Sequence, residues 1–143
     1  YELIEAWYPK TLWNPDNEIA MFSGHEFYKG RKEYAYDIGG CYYAARFAVN
    51  ELLNKERRQA GVVIFREAHP GYIMPVGVWN VREAVRQAVK NKPVKFSTLD
   101  ETLDYISKKL EIPIKKWIDK SNVLKDTLHQ KRIADFLRIK TEV

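Results

Sequence analysis

Between Cys41 and Lys55 the chain leaves few polar positions: Tyr42, Tyr43, Ala44, Ala45, Phe47, Ala48, Val49, Leu52 and Leu53 follow the Gly39-Gly40 breaker. A helix that is apolar on nearly every side has to be covered on nearly every side, so this segment is predicted to be central and buried on most of its surface. Arg46 is the charged exception in its first half. Whatever else the chain forms must pack around this helix. Gly61-Val62-Val63-Ile64-Phe65, a short β-branched run between charged neighbours, reads as a buried strand. A turn at His69-Pro70-Gly71 and a second short strand over Tyr72 to Val76 are expected next. Val78, Val81, Val85 and Val89 then recur at helical spacing, with Arg82, Glu83, Arg86, Gln87 and Lys90 on the other face.

Asn91-Lys92-Pro93 ends that helix, and Thr98 with Glu101 has the spacing of a capping box ahead of Leu99, Leu103, Ile106 and Leu110. Pro113 interrupts the pattern, and Ile114 to Leu128, with Trp117 and Ile118, suggests one or two further short helices. Residues 1–30 are irregular in pattern. Trp7, Tyr8, Pro9, Trp13, Asn14 and Pro15 suggest an extended segment wrapped over a core, followed by a strand over Ile19 to Phe22. The sum is an α+β fold: a small β-sheet packed against several α-helices over residues 1–128, followed by a C-terminal peptide tail over 129–143.

A chain of 143 residues with 45% hydrophobic content is large enough for one domain with a real core. No apolar run approaches the roughly 18 residues that a membrane span needs, and nothing resembles a signal peptide. No membrane partner is expected, and the cytoplasm is the default compartment. The lone cysteine, Cys41, excludes an internal disulfide and a cysteine-built metal site in this chain, and reads as a small buried residue, with a reactive thiol as the alternative. A tyrosine in first position, in place of methionine, is compatible with a fragment of something longer. The net charge is +5, and fifteen of the 24 Lys/Arg lie after Val81 against nine of the 19 Asp/Glu. That excess tolerates acidic partners such as nucleic acid, although lysine-rich solvated surfaces have the same composition.

Polar residues crowd one region: Arg57 and Arg58 before the predicted strand, Arg66, Glu67 and His69 at its carboxyl end, and Arg82 and Glu83 in the helix after Gly77. Strand ends are where α/β sheets place their sites. Arginines there can grip phosphate bidentately, which makes Arg46, Arg57, Arg58, Arg66 and Arg82 the candidate nucleic-acid ligands. The structural alternative is that Arg66 and Arg82 neutralise Glu67 or Glu83. An enzymatic reading makes Glu67 or Glu83 the base, His69 the proton carrier or a metal ligand, and Arg66 or Arg82 the anion clamp of an enzyme acting on nucleic acid or a nucleotide. The three histidines, His25, His69 and His129, have no metal-ligand spacing, and no phosphate loop or nucleophile elbow is present.

The end of the chain reads Gln130-Lys131-Arg132-Ile133-Ala134-Asp135-Phe136-Leu137. In a helical turn Ile133, Phe136 and Leu137 share one side and form an apolar plug suited to a pocket on another protein. The pattern resembles the Gln-x-x-aliphatic-x-x-aromatic-aromatic box by which replication and repair proteins dock on the sliding clamp PCNA. Leu137 departs from the second aromatic, which implies a weaker grip. The alternative is that Leu128, Ile133, Phe136 and Leu137 are the apolar face of an ordinary terminal helix.

Four blocks carry a wider likeness: Gly39-Gly40-Cys41-Tyr42-Tyr43-Ala44-Ala45-Arg46, Arg57-Arg58-Gln59-Ala60, Arg66-Glu67-x-His69-Pro70-x-Tyr72, and Pro75 through Glu83. In this order, with the terminal box behind them, they resemble the C-terminal part of the archaeal Nre proteins over most of residues 7–137. The resemblance implies a DNA-repair factor of the cytoplasm, associated with the nucleoid and recruited by PCNA through Gln130, Ile133, Phe136 and Leu137. It supplies no reaction. The cysteine-rich, zinc-finger-like element near the start of many members is absent from this sequence, so the resemblance implies no cofactor in this chain and leaves zinc to a preceding region.

Overall fold

A computed structural model of the chain describes residues 1–11, 13–71 and 77–130. The expected α+β architecture is observed, as a three-stranded sheet and five helices among the described residues. The strands are β1 (Glu2–Trp7), β2 (Ala20–His25) and β3 (Val63–Ala68), in the order β2-β1-β3. β1 pairs antiparallel with β2 and parallel with β3, with Glu5 opposite Arg66. The segment read as irregular therefore supplies the central strand, buried along its whole length. Its two carboxylates hide the strand pattern, because the partners that make them tolerable there lie far along the chain.

Alternation along β1 divides the core in two. Leu3 faces helices α1 (Gly40–Lys55) and α2 (Val78–Lys90) with Tyr42, Ala45, Val49, Val81 and Val85. Ile4 and Ala6 face the opposite layer, where Trp117 of α4 (Ile114–Lys120) and Ile112 just before that helix pack with Phe65. α3 (Leu99–Ser107) starts on the expected capping box between Thr98 and Glu101, and α5 (Asn122–His129) follows α4.

The apolar helix departs from expectation on one point. α1 buries Tyr42, Ala45, Ala48 and Val49, whereas Phe47 is 53% exposed, because the sheet and α2 cover only one side of it. Tyr42 lies flat on β2 at Gly24, where a Cβ would stand 2.8 Å from its Cδ2, so only glycine allows this approach of helix to sheet.

Glu2 is fully buried. It accepts from Ser23 Oγ at 2.7 Å, from the backbone N–H groups of Asn122 at 2.9 Å and Val123 at 3.1 Å, and from the Ser121 hydroxyl. A carboxylate on the first turn of a helix is favoured by the helix dipole as well as by these bonds. The central strand and α5 are thus joined across the core. The second strand expected over Tyr72 to Val76 lies outside the described residues, as do Ile133, Phe136 and Leu137.

Candidate functional site

Both long helices begin at the same end of the sheet. Gly40 abuts Val78, whose Cγ1 would be 2.7 Å from a Cβ at position 40, and farther along Arg86 of α2 grips Glu51 of α1 with two bonds of 2.7 Å. The two helices therefore run side by side in one direction, and their N-termini meet where the parallel strands β1 and β3 end. Each is preceded by a glycine at positive φ, Gly39 at 71° and Gly77 at 75°, so neither has a capping side chain over its first amides. Carboxyl ends of parallel strands facing helix N-termini form the usual ligand position of α/β units.

A cleft of about 370 Å³ opens at this junction. Its floor is the ion pair between Arg66 Nη1 and Glu5 Oε1, 2.8 Å apart, with both side chains largely buried. Trp7 Nε1 donates to the other Glu5 oxygen at 3.3 Å, and the Arg66 guanidinium lies 5.3 Å from the centre of the Trp7 ring. Trp13, Phe22 and Tyr36 supply aromatic walls, and Cys41 lines the α1 side. Burial, followed by the nearby Glu5 carboxylate, pushes the Cys41 thiol up, so it stays protonated and weakly nucleophilic.

The polar residues singled out in the sequence do not share one site. Arg66 and Glu67 are neighbours on β3 and point to opposite faces of the sheet. Arg66 reaches Glu5 on the α1/α2 side, whereas Glu67 accepts from the backbone N–H of Ile112 at 2.9 Å and of Glu111 at 3.3 Å on the other. Glu67 therefore neutralises neither Arg66 nor Arg82. Its second neighbour is His69, whose Nε2 is 3.3 Å away and whose ring stacks on Tyr8 with centroids 4.8 Å apart. The Tyr8 phenol donates to Glu111 at 3.0 Å and is pushed up to about 12 by desolvation and by that carboxylate. Glu83 lies on α2 beside Arg82 and Arg86. The sheet thus separates Arg66 from the Glu67–His69 pair that an enzymatic reading would combine with it.

The candidate nucleic-acid ligands are also dispersed. Arg46 pairs with Glu26 at 2.7 Å and lies over the Tyr43 ring. Arg57 and Arg58 are exposed beyond the last turn of α1, about 24 Å from the cleft for a 16-residue helix. Arg82 Nε stands 3.5 Å from Glu83 without hydrogen-bond geometry. Only Arg66 lines the cleft. Glu5, Trp7, Trp13, Phe22 and Tyr36 escaped the sequence reading as site residues. The usable signal was the alternation of Leu3, Glu5 and Trp7, which puts an acid in register with Arg66.

Because Glu67 holds the loop before α4 by its backbone, Glu67→Gln is expected to cost about 1–2 kcal/mol, since the amide presents a donor to donors. Thermal unfolding should show a drop of about 5 °C. An unchanged melting temperature would sink the anchoring role.

Parallel strand ends, paired helix starts and a cleft with aromatic walls and an ionic floor define an α+β domain with a candidate ligand cleft. Comparison with known proteins gives the family. The chain belongs to the archaeal Nre family, whose C-terminal region, "Archaeal Nre, C-terminal", matches residues 26–136. It is 41% identical over 125 residues to DNA repair protein NreB of Archaeoglobus fulgidus, covering 87% of this chain and 32% of that protein. It is 37% identical over 111 residues to DNA repair protein NreA of the same organism, covering 78% and 28%. To DNA repair protein NreA of Haloferax volcanii it is 34% identical over 116 residues, covering 80% and 28%. The chain thus spans about a third of the length of these relatives. No solved structure matches it. No helix among the described residues is long and apolar enough to cross a membrane.

Proposed function

We propose that this chain is the C-terminal region of a DNA-repair factor that is recruited to DNA, and so to the nucleoid, by the sliding clamp PCNA through Gln130, Ile133, Phe136 and Leu137, and that touches nucleic acid itself. Its relatives bear the name DNA repair protein, which supports the repair role. The clamp reading draws its support from the Gln-x-x-aliphatic-x-x-aromatic pattern of residues 130–136 and from where α5 ends. α5 stops at His129, and Gln130 is exposed with extended backbone at φ −69° and ψ 114°. The first residue of the box is thus the one at which α5 ends. On this reading residues 1–128 are the folded domain and 129–143 the tail.

Phe136→Ala tests the clamp contact. Loss of a buried aromatic anchor is expected to remove about 2 kcal/mol of affinity for the clamp in calorimetry, roughly thirty-fold, with the melting temperature of the domain unchanged. Equal binding by variant and parent overturns clamp docking. A large fall in melting temperature assigns Phe136 to the core.

A further inference from the structure

The cleft at the start of α1 and α2 keeps exposed rings around a buried charge pair. Trp13 is 59% exposed, Tyr36 83% and Phe22 36%, and all three line the cavity above Glu5 and Arg66. A segment that covered the rings with aliphatic side chains would desolvate the Glu5–Arg66 pair further and add no bond to it. A ligand that satisfies both features has flat apolar faces and a polar edge bearing donors and acceptors. A nucleobase has both, and its phosphate carries the charge that two adjacent helix N-termini favour. The volume, about 370 Å³, is at the small end of ordinary ligand pockets and suits one ring system with its sugar.

We infer that the cleft receives a single unstacked nucleobase, from a single strand or swung out of a duplex. Its ring lies against Trp13 and Tyr36, its polar edge is turned to Glu5 and Arg66, and its phosphate is near the first amides of α1 and α2. This deepens the nucleic-acid contact proposed above and rests on it. No bond is made or broken in this step. The cleft holds a base, as base-handling proteins must when the duplex would otherwise hide it.

The test uses the whole chain and a short DNA single strand carrying one 2-aminopurine, whose fluorescence reports loss of stacking on its neighbours. Binding is expected to change that signal. Trp13→Ala and Tyr36→Ala, both at exposed side chains, should each weaken binding by about ten-fold, as loss of a stacking ring does, without moving the melting temperature. Tyr28→Ala, 96% exposed but away from the cleft, should bind like the parent. An abasic nucleotide in place of 2-aminopurine should weaken binding as much as Trp13→Ala. Equal binding of base-containing and abasic strands, lost as salt rises, overturns base entry while leaving a backbone contact and the proposed function intact. Absence of any strand binding overturns both the cleft inference and the nucleic-acid contact, whereas clamp docking, read through Phe136→Ala, stands or falls separately.

Discussion

Glu2→Ala is expected to lower the melting temperature by about 10 °C, a loss of about 3 kcal/mol for a chain of this size. The carboxylate is fully buried and receives the Ser121 hydroxyl, the Ser23 hydroxyl and the backbone N–H groups of Asn122 and Val123. Alanine removes the acceptor and leaves one buried donor and three partly buried ones without it, so the cost exceeds that of one average bond. Glu2→Gln should fall between parent and alanine, because its carbonyl still accepts while its amide faces donors. Denaturant unfolding, with hydrogen exchange at Asn122 and Val123, measures both parts. A loss below about 1 kcal/mol, with those two amides still protected, would mean that α5 is seated by its apolar contacts alone.

Glu5→Ala carries the second large effect, at about 3 kcal/mol, because it strips its carboxylate from a largely buried guanidinium. The size of the loss reflects the charge left behind, not the intrinsic worth of the pair. Replacing both members with apolar residues, Glu5→Leu with Arg66→Met, should therefore recover most of the stability seen by thermal unfolding. On the reading given to the cleft, the double variant should be folded and still fail to bind the 2-aminopurine strand. A double variant as unstable as Glu5→Ala would show that the ionic floor is required by the fold itself.

Much of the helical frame was legible in the sequence. The starts of α1 and α2 follow from the Gly39-Gly40 and Gly77 breaks, and the start of α3 from its capping box, since these depend on residues within a few positions of each other. β1 was not legible. Glu2 and Glu5 spoil the look of a buried strand, and what makes them acceptable is Ser121 at a separation of 119 residues and Arg66 at 61. The site was half legible for a related reason. Adjacency in the chain grouped Arg66 with Glu67 and His69, but strand alternation sends Arg66 to one face and Glu67 to the other. The aromatic walls come from β1, β2 and the loops beside them, whose local pattern says only that rings need cover.

The bond set at Glu2 also orders events in time. The sheet and its α1/α2 layer draw on residues up to Lys90, so they can assemble while the rest of the chain is still being made. The central carboxylate gains its last donors only when Ser121, Asn122 and Val123 have emerged, and Gln130 leaves the ribosome a few residues later. On the clamp reading proposed above, a nascent chain long enough to offer its complete box is already long enough to close its own core, so that reading would couple recruitment to a finished domain.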